Sequence, residues 1–87
     1  MEFEYDPDKS IKNKQKHHID FDEARFLWND ENRLQIQAKS ESEPRFALIA
    51  QYQQKLWSAF YTIRQHKIRI ISVRRARIEE RKLYEES

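Results

Sequence analysis

His17 is the residue in this chain best suited to moving a proton near neutral pH, where imidazole titrates. It directly follows Lys16, the last of four lysines between residues 9 and 16. Arginine carries a planar fork that matches phosphate geometry, so Arg64, Arg74, Arg75 and Arg77 are the natural phosphate binders. Glu80, just behind them, either holds an arginine in place or serves as a base. Together these residue types offer proton transfer beside a stabilised phosphate, with Lys16 as a further cation. Neighbouring strand residues face opposite sides, so Arg74 and Arg75 are not expected to grip one phosphate. Plainer roles fit the same residues. His17 suits a helix end that answers the dipole, and each arginine suits a solvated surface or a pair with Glu79 or Glu80. His18 and His66 suit surface or turn positions. No metal is expected: adjacent helical side chains such as His17 and His18 diverge by ~100°, and no His or carboxylate set has ligand spacing.

Charge is segregated along the 87 residues, although the net is only +2. Residues 2–8 carry four acids and no base, and residues 9–16 carry four lysines and no acid. Acid returns over residues 20–31. From Arg64 to Lys82 eight basic residues face two acids, a local net of +6. One such run is usually a solvated face, but two basic segments far apart in sequence point to an anion site. Nucleic acid is the obvious polyanion. Trp57 and Tyr61 suit stacking on an unpaired base, yet they alternate with Ala59 and Ile63 as core residues would.

The zero counts exclude whole classes of chemistry. Without Cys there is no disulfide framework, thiolate zinc site or cysteine nucleophile. Without Gly there is no P-loop, dinucleotide fingerprint, nucleophile elbow or EF-hand turn. No apolar run approaches ~20 residues and the start is unlike a signal peptide, so a cytoplasmic protein away from membranes is expected.

The elements that must position these residues form a single domain over residues 1–87. Phe3 and Tyr5 alternate with acids in a strand-like opening. Asp6-Pro7 then starts a polar helix to about His17, with Ile11 its one aliphatic anchor. Asp20 and Glu23 form a capping box for a second helix, whose apolar stripe is Phe21, Ala24, Leu27 and Trp28. Beyond residue 33 the period changes to two. Leu34 to Ala38, Phe46 to Tyr52, Trp57 to Ile63 and Ile68 to Val73 read as strands, with a polar loop from Lys39 to Pro44. A last helix is expected from about Arg75 to Glu86. The order βααββββα predicts an α+β fold: an antiparallel sheet of about four strands, two N-terminal helices and one C-terminal helix, with the helices on one sheet face. Phe21, Leu27 and Trp28 are expected to pack on Trp57, Ala59, Tyr61, Ile63, Ile71 and Val73.

Four stretches together resemble the BrnT toxin family: MEFEYDPDKS, NKQKHHIDFDEARFLWND, LWSAFYTIR and the ending from Lys67 to Glu86. The specific pair is Lys16, His17, Ile19 and Phe21 in the KH-x-I-x-F pattern, together with IISVRRA from Ile70 to Ala76. The resemblance implies a RelE-like fold and a ribonuclease toxin of a type II toxin–antitoxin module, which cleaves RNA without a metal or other cofactor. It implies silencing by a ribbon-helix-helix, BrnA-like antitoxin, operator DNA binding through the complex, and a toxin homodimer at its centre. Within that frame His17, Arg64, Arg74, Arg75 and Glu80 become the catalytic candidates, and Lys16 and Arg77 the RNA contacts. Two alternatives are a non-catalytic basic subunit that supports operator binding and a module that only docks a protein. One departure stands out: His18 occupies a position where the family usually has Gly. The chain there must adopt a conformation a non-Gly residue tolerates, or accept strain of ~1–2 kcal/mol.

Overall fold

The structure, a computed structural model, describes residues 2–38 and 42–87. At its centre is a mixed five-stranded sheet, not the antiparallel sheet of four expected. The strands are β1 (Glu2–Glu4), β2 (Leu34–Ala38), β3 (Arg45–Tyr52), β4 (Lys55–Arg64) and β5 (Lys67–Arg75), in spatial order β1-β5-β4-β3-β2. Strands β2 to β5 are the expected antiparallel succession. The added strand is the opening segment, which lies parallel to β5 with Phe3 opposite Ile68. Its aromatic rings explain why so short a segment stays in place. Phe3 meets Trp28 edge-on at 5.1 Å, and Tyr5 meets Phe21 edge-on at 5.7 Å. The loop expected from Lys39 to Pro44 falls partly outside the described residues.

Helix α1 spans Pro7–His17. The Asp6 side chain accepts from the Asp8 N–H at 2.9 Å, Pro7 opens the first turn, and Lys14, Lys16 and His17 answer the dipole in the last. Ile11 is not the anchor expected, being 58% exposed. The buried residues of α1 are polar, Ser10 and Asn13. Asn13 takes the place of a neighbouring strand: its Nδ2 donates to the Val73 carbonyl at 2.9 Å while its Oδ1 accepts from the Val73 N–H at 3.2 Å. The same Nδ2 donates to the Ile19 carbonyl at 2.8 Å. Beyond Arg69, where β1 has ended, α1 thus satisfies the edge of β5.

The second helix starts with the expected reciprocal cap between Asp20 and Glu23. Its α-helical part, α2, is a single turn, Phe21–Ala24, and the chain continues as a 3-10 helix over Arg25–Asn29. Burial follows the tighter period, with Phe21, Ala24 and Leu27 inside at intervals of three. Helix α3 spans Ile78–Glu86. It begins later than Arg75 because Arg75 still pairs with Trp57 and the Ala76 N–H donates to the Leu56 carbonyl at 3.0 Å.

One sheet face carries Leu48, Ala50, Trp57, Ala59, Tyr61, Ile68, Ile70 and Val73, packed against Ile19, Phe21, Ala24 and Leu27. Of the residues expected there, Ile63 lies on this face opposite Ile68 but at its margin, 48% exposed, whereas Ile71 is the extra residue of a β-bulge. The register runs Phe60 opposite Ser72 and then Tyr61 opposite Ile70, so the bulge shifts the phase of β5 and turns Val73 inward. The helices also do not share one face. Ser58, which points away from Trp57 and Ala59, donates to Glu80 at 2.9 Å and so fixes the start of α3 on the opposite face.

Three turns do without glycine. Gln53 and Gln54 have φ of 52° and 66°, and Gln65 and His66 have φ of 49° and 67°, the positive pairs a two-residue hairpin requires. His18, at φ 66° and ψ 22°, closes α1 in the left-handed region, and its N–H donates to the Lys14 carbonyl at 2.9 Å.

Candidate active site

The bulge and α1 together form a groove of about 240 Å³. Lys9, Lys12, Lys16 and His17 line the helix side, and Ile71 and Ser72 line the strand side above Phe21. Spacing explains the helix wall: residues 9, 12 and 16 fall at i, i+3 and i+7 and share a face. The bulge explains the strand wall, since it puts Ile71 out of the core alternation and into the groove.

His17 is half-buried at the last turn of α1. Its pKa lies below the ordinary 6.5, first because burial disfavours the imidazolium, then because Lys16, Arg74 and His18 add positive charge nearby. Near pH 7 it is therefore a neutral imidazole able to accept a proton. Lys16 stands beside it, exposed.

Arg74 forks onto Glu80, with Nη1 to Oε1 at 2.8 Å and Nη2 to Oε2 at 2.9 Å. Its guanidinium also lies 5.0 Å over the Phe60 ring. Glu80 accepts two more bonds, from the Arg77 N–H at 2.8 Å and from Ser58 Oγ at 2.9 Å. Burial alone would raise the Glu80 pKa, but these donors outweigh it and hold it at about 2. Glu80 is thus a carboxylate throughout the neutral range and ties β4, β5 and α3 together.

The other arginines divide by position. Arg75 lies on the opposite strand face from Arg74, its guanidinium 5.5 Å over the Trp57 ring. Arg77 is exposed at the cap of α3. Arg64 stands at the far end of β4, opposite Lys67 and 3.3 Å from Glu43. Five residues of β5 separate Lys67 from Ser72, or ~17 Å of strand, so Arg64 does not share the groove with His17. His66 lies in the β4–β5 turn, and Trp57 and Tyr61 are buried core residues. The structure therefore brings Lys16 and His17 together, with the charge of Arg74 in reach, and leaves Arg64 remote.

Three participants escaped the sequence reading. A buried Asn13 carries no local signal, because its strand partner is 60 residues away. Lys9 and Lys12 did carry one, the helical spacing they share with Lys16. Among the described residues, no group of three or more His, Cys, Asp or Glu is placed to hold a metal ion. No helix among them is long and apolar enough to cross a membrane.

The sequence model of one protein family, described as "Ribonuclease toxin, BrnT, of type II toxin-antitoxin system", matches residues 5–80. That span takes in α1, the groove, strands β2 to β5 and the Arg74–Glu80 pair. No curated protein matches the chain.

Proposed function

The chain belongs to the BrnT family of type II toxin–antitoxin ribonuclease toxins, and from that premise we propose that it cleaves RNA in the α1–β5 groove without a metal. His17 takes the proton from a ribose 2′-hydroxyl, whose oxygen attacks the adjacent phosphorus. The bond from phosphorus to the 5′-oxygen breaks, leaving a 2′,3′-cyclic phosphate, and the departing oxygen is protonated from the solvent that reaches the open groove. Arg74 counters the charge that builds on the scissile phosphate, and Arg75, on the other strand face, contacts a neighbouring phosphate. Glu80 is the positioning residue that holds Arg74. Lys16 and Arg77 bind the RNA, and Arg64 meets it at a more distant point. The observation that carries this reading is His17: a neutral imidazole, half-buried in a groove, with the charges of Lys16 and Arg74 acting on it.

A ribbon-helix-helix antitoxin fits the same picture by covering the cationic groove, since masked phosphate binders cannot reach RNA. The assembly, with two toxin copies at its centre, then binds operator DNA. The toxin acts in the cytoplasm, on RNA that serves translation.

The test is RNA cleavage in EDTA. His17→Ala, once shown to fold, should lose ~10²–10⁴ in rate. In the wild type kcat/KM should rise with pH through a pKa below the ordinary histidine value, because the active form is the unprotonated one. Full activity of His17→Ala would remove it from the chemistry. Loss of wild-type activity in EDTA would reject the metal-free route.

A further inference from the structure

Lys9, Lys12 and Lys16 are an unusual wall for a groove. All three are exposed, and among the described residues none forms an ion pair. The fourth lysine of the helix, Lys14, makes the contrast. It lies off this face and is bonded to Glu23. Repulsion among three unpaired ammonium groups on one face destabilises an isolated helix, and α1 offsets little of that with apolar packing, since Ile11 faces solvent. Such a ridge is held in place by the polar anchors Ser10 and Asn13 instead. Ser10 Oγ accepts from the Phe21 N–H at 2.9 Å, and Asn13 grips Val73. The buried and the cationic positions of α1 thus do separate jobs.

We propose that this ridge is a track for the sugar–phosphate backbone of single-stranded RNA, leading from the His17 site toward the start of α1. The assignment rests on the ribonuclease reading above and extends it from the scissile phosphate to its neighbours. Seven residues of helix separate Lys9 from Lys16, an axial distance of ~10.5 Å, so the ridge outreaches a single phosphate. Across the groove the bulge supplies Ile71 and Ser72, an aliphatic side chain and a hydroxyl. One wall therefore suits phosphates, and the other suits the sugar and base edge without reading sequence. The small volume of the groove, about 240 Å³, and its aliphatic strand wall favour an unpaired strand over a duplex, which would have to enter whole.

The experiment measures affinity for a single-stranded RNA oligonucleotide with a non-cleavable 2′-O-methyl backbone, by fluorescence anisotropy, as a function of salt. Each phosphate contact to a single strand contributes ~0.7 to the slope of log K against log salt. The Lys9→Gln/Lys12→Gln double variant should bind with a slope shallower by ~1.4. On cleavable RNA it should raise KM with kcat little changed, whereas a DNA duplex of equal length should show no dependence on these two residues. Lys55→Gln, in the β3–β4 turn region, should leave the slope as it is. A wild-type protein that cleaves RNA while the double variant keeps its full slope would overturn the track and leave the ribonuclease reading standing. A double variant that weakens duplex DNA as much as single-stranded RNA would also overturn it. A wild-type protein that neither binds nor cleaves RNA would remove both readings.

Discussion

At the scale of single residues, Arg74 and Glu80 show how a charge can be needed and yet not free. The Glu80 pKa is held at about 2, below its ordinary 4.5, so the pair stabilises the fold at neutral pH. That contribution is fully present above pH 4.5 and is lost as pH falls toward 2, since the unfolded chain then binds the proton the folded one refuses. The Glu80 side chain is 17% exposed, and the shift corresponds to at most roughly 3 kcal/mol. Glu80→Gln is expected to cost about 2 kcal/mol in urea unfolding at pH 7, and the gap from wild type should close as pH approaches 2. A constant gap across that range would mean that the pair is not the source. The arginine-holding role of Glu80 was legible in the sequence because both residues are local to one strand–helix junction. The remoteness of Arg64 was not: net charge along a chain says nothing about which end of a sheet each residue occupies.

At the scale of elements, the stripes from Phe46 to Tyr52 and from Trp57 to Ile63 read correctly because period-two alternation survives pairing. The bulge at Ile71 did not read, since Ile70 and Ile71 are equally apolar and only the register with Tyr61 tells them apart. Nor did the parallel pairing of β1, whose partner strand lies more than sixty residues away. The turns are where local chemistry and fold disagree. His18 and the pairs Gln53-Gln54 and Gln65-His66 hold left-handed backbone that other residues adopt more cheaply. Replacing Gln53-Gln54 by Asn-Gly and His18 by Gly should each stabilise by about 0.5–1 kcal/mol. Together they should raise Tm by several degrees, at ~4–8 °C per kcal/mol for a domain of this size. No gain in a thermal melt would show that these residues make compensating contacts in place.

At the scale of the whole molecule, the proposed function makes the groove both the working surface and the surface a silencing partner covers. Co-expression with a cognate ribbon-helix-helix antitoxin should restore growth, and in the co-purified complex the amides of α1 should exchange more slowly than in the free protein. Protection of the cell without any change at α1 would mean that silencing acts elsewhere. The groove also has a history within each molecule. Its two walls are far apart in sequence: Asn13 meets Val73 across 60 residues. While a ribosome is still making the molecule, α1 has emerged but its partner strand has not. Long-range pairings of this kind form late. On the proposed function, the cutting surface is therefore absent from the nascent chain, and the ribosome and message that produce it are out of its reach until β5 has emerged and docked.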